Sequence, residues 1–184
     1  MYNRIFIAAI VFIMGQQLKA QDIWITRSGI ITFHAGTSLE DIDGVNSEVA
    51  SLLNIKTGDL AFNVPVKSFH FTRSLMEEHF NENYMESTKY SKSTFQGRIV
   101  DLSKVNFDKN GSYNVAIEGD LTIHGVTKKV NAPGTVSVAG GKISATSTFK
   151  TVLADYNISI PGVVAEKIAK EATIEVKCNY EKKN

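Results

Sequence analysis

Between Tyr113 and Val130 the chain alternates apolar and polar side chains in two runs that meet at a Gly-containing turn. Strict alternation has a period of two, so this stretch is one hairpin of a larger antiparallel sheet. Tyr113, Val115, Ile117, Gly119, Leu121 and Ile123 share one face, and Asn114, Glu118, Asp120, Thr122 and His124 share most of the other. A one-residue slip would exchange the faces, so the pattern sets the register as well as the element.

The same period recurs along the chain. Ile23–Ile25 and Ile30–Phe33 are β-rich runs, and Val49, Ser51, Leu53 and Ile55 share a face. After the turn Thr57-Gly58-Asp59, Leu60, Phe62, Val64 and Val66 resume it, with Pro65 on the opposite side. Pro cannot donate to a ladder, so Pro65 marks an edge, a bulge or the point where the strand leaves the sheet. Phe95, Gly97 and Ile99 align before Asp108-Lys109-Asn110-Gly111, and Asn-Gly between alternating runs is the strongest local hairpin signal. Thr135–Val138, the turn at Gly140-Gly141, the run Ile143 to Thr151 and a last strand over 172–180 complete the set.

The one long break in β character runs from Arg73 to Glu86. Ser74 followed by Glu77 has the spacing of a capping box, and Met76, Phe80 and Tyr84 fall on one helical face. A short amphipathic helix facing the sheet is predicted, with Glu77, Glu78 and Glu82 in solvent. About eight strands of up to roughly ten residues, with turns at regular intervals, describe a closed antiparallel barrel; an aligned sandwich is the alternative. Eight strands enclose an interior that side chains fill or that holds one small ligand.

Residues 1–20 are set apart from this fold. Arg4, the apolar run Ile5–Met14 and a small residue at Ala20 have the form of a secretory signal peptide, leaving 21–184 as the domain. Ten apolar residues are too few to cross ~30 Å of hydrocarbon, so stable membrane insertion is not expected. Export makes the expected location periplasmic or extracellular. Cleavage takes Arg4 and Lys19 from the 20 Lys and Arg, leaving 18 against 19 Asp and Glu. That balance offers no electrostatic reason for a nucleic-acid partner. The single Cys178 alternates with Ile174, Val176 and Tyr180 and reads as a buried strand thiol.

The phrase Gly119-Asp120-Leu121-Thr122-Ile123-His124-Gly125-Val126-Thr127-Lys128-Lys129-Val130 resembles the recurring wording of the YceI-like family. Arg73–Phe80 with Asn83–Glu86, Tyr90 and Thr94-Phe95 is similar to the family's helix and following strand, and Trp24 and Ile31–His34 to its opening strands. The likeness covers roughly residues 22–180. It implies an all-β, eight-stranded, lipocalin-like barrel with a short helical insertion, exported, whose apolar interior holds a polyisoprenoid or another long-chain amphiphilic lipid, with no general enzyme activity. Two places depart from the family's wording: Ser91 follows Tyr90, and Tyr156-Asn157 stand where the family tends to have Phe-Gly. These put the ligand's identity in question.

The candidate ligand-binding set follows from alternation and helical phase: Phe33, Phe62, Val64, Phe80, Tyr84, Phe95, Ile99, Val115, Ile117, Leu121, Ile123 and Phe149 all point to one interior. Periodicity does not separate a filled core from a hollow one; the family resemblance favours a cavity. His124, at the hairpin turn, is a head-group contact or, in the simpler reading, a turn-stabilising hydrogen bond. The histidines lack metal-ligand spacing, there is no Cys-x-x-Cys, and no Gly-x-Ser-x-Gly elbow is present. Gly140-Gly141-Lys142 lacks the Ser or Thr and the upstream Gly of a phosphate loop. A non-catalytic carrier or sequestering protein with no cofactor is therefore expected, with a homodimer left open. The runner-up is a rigid barrel with a filled core that binds a protein partner.

Overall fold

A computed structural model describes residues 22–183, and the expected signal peptide over 1–20 lies outside them. Nine strands form: β1 (Ile23–Gly36), β2 (Asp43–Asn54), β3 (Asp59–Pro65), β4 (Phe69–His70), β5 (Lys92–Ile99), β6 (Gly111–Ile123), β7 (Val126–Ala139), β8 (Lys142–Val152) and β9 (Ile168–Lys182). Their order is β1-β9-β8-β7-β6-β5-β3-β2, and pairing of β1 with β2 closes the ring, so the barrel has the expected eight strands. The two-residue β4 only extends β2, through Val45↔His70 and Asn46↔Phe69. All pairings are antiparallel.

The two runs expected at the start are one strand. β1 carries register shifts on both sides of Gly29. Such bulges add bend and twist, which β1 needs in order to pair with β2 on one side and β9 on the other. Similarly, Thr135–Val138 is not separate: β7 runs through Pro133 with its register to β6 unbroken from Ile123↔Val126 to Gly111↔Val138. Pro133 leaves an interior strand short of one donor, yet the ladder on either side holds it in line. Pro65 ends β3, where the chain turns into a 3-10 turn over Val66–Ser68.

β5 and β6 pair as an antiparallel hairpin, but Asn110-Gly111 is not its tight turn. β5 ends at Ile99, a 3-10 turn at Leu102–Lys104 intervenes, and Gly111 simply starts β6. The Asn110 side-chain oxygen accepts a bond from the Gly140 N–H, so it braces the neighbouring β7–β8 turn. The tight turns are Gly140-Gly141 and His124-Gly125, each with positive φ at both central residues. That is the type I′ geometry whose twist matches flanking strands.

His124 (φ 49) is thus the first central residue of the turn and does not precede it. Gly125 (φ 74) has a second constraint, because a β-carbon there would run into the Tyr90 ring. Gly125→Ala is expected to cost about 2–3 kcal/mol from left-handed strain plus that clash. Urea unfolding would read the loss, and an unchanged midpoint would contradict this account.

Predicted helicity at Arg73–Glu86 is realised in two parts. An α-helix, α1, covers Ser74–His79, and a π-helical turn covers Phe80–Tyr84, closed by Met85 N–H donating to the Phe80 carbonyl. The capping box does not form. Arg73 is the N-cap without a side-chain bond, and Glu77 accepts instead from the Phe71 N–H and lies close to His70. Glu77 is therefore partly buried, while Glu78 and Glu82 are in solvent as expected.

Candidate ligand-binding cavity

The barrel is solid at one end and hollow toward the other. At the base, where β2 turns into β3 and β7 into β8, Leu53, Leu60, Val136, Val138, Ile143 and Tyr180 pack into a continuous core. A small space of about 20 Å³ lies there. Above it opens a cavity of about 500 Å³, within the range of small-molecule sites. Protein interiors otherwise leave few voids larger than a water molecule.

The wall is built by alternation. From β3 come Leu60, Phe62 and Val64; from β6, Ile117, Leu121 and Ile123; from β8, Ala145, Ser147, Phe149 and Thr151. Gly97 and Gly119 face each other across β5 and β6, and the Phe95 ring occupies the space that β-carbons there would take. Over the barrel opening, Phe80 packs on Phe33, Phe69 and Phe71 at centroid distances of 5.3, 5.5 and 5.1 Å. The π-helical turn gives Phe80 and Tyr84 a common direction, into the cavity.

Most of the residues picked from the sequence line this cavity: Phe33, Phe62, Val64, Phe80, Tyr84, Phe95, Ile117, Leu121, Ile123 and Phe149. Three do not. Ile99 and Val115 belong to the solid base, because alternation reports which face a side chain takes but not its height along the barrel axis. His124 is turned away from the cavity and buried by protein. Its Nδ1 lies 3.1 Å from the Tyr156 carbonyl oxygen, its Nε2 2.8 Å from Glu86 Oε2, and Tyr90 stacks edge-on at 4.6 Å. His124 thus ties the β6–β7 turn to the segment after the helix and to the 3-10 turn Leu153–Tyr156.

Other wall residues were not in the candidate ligand-binding set. Ile174, Val176 and Cys178 of β9 face inward, and their own alternation was the available signal. Ile42, Phe71 and Val164 come from connecting segments, where no periodicity marks them, Leu75 from α1 and Ile168 from the start of β9. The acidic, Lys and Arg side chains of the lining, Glu40, Arg73 and Lys167, gather at the mouth. There Glu40 pairs with Arg73, and with Lys167 at 3.5 Å. The Arg73 hydrogen bond holds the Glu40 carboxyl below its ordinary range. Among the described residues, no cluster of His, Cys, Asp or Glu could hold a metal ion.

Burial pushes the Cys178 thiol up to about 11, against a smaller opposing effect of its contact with Tyr180. Burial also raises Tyr180, whose hydroxyl lies 2.8 Å from Ser51 Oγ. A thiol so placed stays protonated near neutral pH and is a poor nucleophile. Because the folded value exceeds the unfolded 9, its stabilising effect is complete below pH 9 and is lost as pH rises through 11. Denaturant midpoints are expected to fall across that window, less steeply in Cys178→Ala. Identical pH profiles would contradict this.

A closed antiparallel barrel, solid at the base and with an apolar cavity reaching a polar mouth, defines the class: a lipocalin-like barrel. The YceI-like domain matches residues 26–180, and the chain belongs to that family. Among solved structures, the fold is similar to a polyisoprenoid binding domain from Saccharophagus degradans implicated in plant cell wall breakdown. The TM-score is 0.75 at 12% identity, over 88% of this chain and 99% of that one. It is also similar to Burkholderia cenocepacia BcnA, with TM-score 0.67 and 17% identity over 83% and 96% of the two chains. The Campylobacter jejuni YceI protein aligns with TM-score 0.56 and 18% identity over 75% and 84%. None of the curated protein sequences compared matches the chain.

Proposed function

We propose that this protein holds a polyisoprenoid or similar long-chain amphiphilic lipid inside the barrel and carries or sequesters it without catalysis, outside the cytoplasm. The observation that carries the reading is the apolar cavity of about 500 Å³ above a solid base. Water in such a space would find few partners, whereas an apolar chain gains ~25 cal/mol per Å² buried, less the cost of ordering it. The polyisoprenoid binding domain from Saccharophagus degradans, similar in fold, supports the choice of ligand class. The apolar character of the wall supports a non-catalytic role, and the form of residues 1–20 supports export. The filled-core alternative is disfavoured, since Phe62, Phe95 and Ile117 face a cavity.

Native mass spectrometry of the purified protein, followed by solvent extraction, tests the reading. A bound lipid released on denaturation is the expected result. A protein that carries no lipid and takes up none from an added polyprenol would refute it.

A further inference from the structure

Three segments meet around the cavity mouth and are bonded to one another. Thr37 Oγ1, in the β1–β2 turn, donates to the Glu166 carbonyl at 2.8 Å, and Arg73 at the helix start binds Glu40 of the same turn. Lys167 reaches Glu40 from the third segment. Each segment carries one large apolar side chain directed into solvent: Leu39 (64% exposed), Leu75 (60%) and Val163 (94%). These are the three most exposed large apolar residues of those described, and no other exceeds 47%. Leu75 is both exposed and part of the cavity wall, so rim and interior meet at that residue.

From this we infer that the rim of Leu39, Leu75 and Val163 docks on the surface of a lipid bilayer, so that the cavity mouth faces the hydrocarbon. The inference rests on the lipid-holding function proposed above, because continuity between rim and cavity is what selects a bilayer as occupant. A chain passing between membrane and cavity would then cross no water. Charge argues for a bilayer held by apolar contact. Arg73 and Lys167 are both engaged by Glu40, and Asp41, Glu78 and Glu166 are exposed on the same segments. The rim therefore offers no net attraction to anionic headgroups. Three shallow side chains give reversible association, and no described helix is long and apolar enough to cross a membrane.

Flotation of the full chain with phosphatidylcholine vesicles tests this, with and without phosphatidylglycerol, at low and high salt. Expected is association with neutral vesicles that survives high salt and is weakened by about 100-fold in the L39S/V163S variant. Both positions are exposed and lie outside the cavity wall, so polyprenol uptake measured without vesicles should be unchanged in that variant. Absence of vesicle association, equal association of the variant, or association that requires phosphatidylglycerol and disappears in salt would each overturn the inference. Uptake failing in both proteins while docking persists would refute the cavity reading and leave the docking surface standing.

Discussion

Replacing Ala132 and Ala145 together by Phe is expected to abolish lipid retention while the barrel stays folded. Ala132 lies on β7 opposite Ile117, and Ala145 on β8 opposite Cys178; both line the cavity. Ala145 also borders the small space at the base, so a ring there raises the cavity floor, while one at Ala132 enters from the side. If each ring displaces on the order of 100 Å² of buried ligand surface, the loss is about 2.5 kcal/mol per site. The pair then weakens binding on the order of a thousandfold. Because the rings enter existing space, thermal stability of the empty protein should hold or rise. Extraction and native mass spectrometry give the readout. Lipid retained at the parent stoichiometry in the double variant would rule out this cavity as the site.

The second large effect is a gradient of mutational cost along the barrel axis. Leu53 is 1% exposed in the solid base, and Leu53→Ala should cost about 3–5 kcal/mol through lost transfer energy and a new void. Ile117 packs on the base core on one side but borders the cavity on the other, so Ile117→Ala removes fewer contacts and should cost about 1 kcal/mol in the unloaded protein. With lipid bound, the Ile117 cost should rise, because the ligand supplies the missing neighbours. Denaturant titrations of stripped and loaded protein separate the cases. Equal costs at the two positions would mean that the cavity collapses in solution.

The alternating faces of β2, β3, β6 and β8 were legible because period two in a half-buried strand leaves little choice, and Pro65 marked the end of β3 for a clear stereochemical reason. Other features were hidden for equally physical reasons. Asn110-Gly111 has ideal hairpin chemistry, yet the register of β5 against β6 left a longer connection and turned Asn110 into a brace. Glu77 stood at capping-box spacing but found better donors in Phe71 N–H and His70. Ile99 and Val115 share a face with Ile117, and only the three-dimensional position of Leu53 and Val136 decides that they close the base. The mouth, assembled from Glu40, Arg73 and Lys167 on distant segments, follows from closure of the ring and leaves no local trace.

Closure itself has a kinetic consequence. β9 lies between β1 and β8, with Phe33 opposite Ile174 and Trp24 opposite Lys182. The first strand to be synthesised therefore waits for the last before its second edge is paired. Contacts of such sequence separation place the chain among slow folders, on the millisecond-to-second scale. Until residues 168–182 arrive, β1 and β8 present open edges able to template pairing between chains. A truncated chain ending before Ile168 would keep both of those edges unpaired.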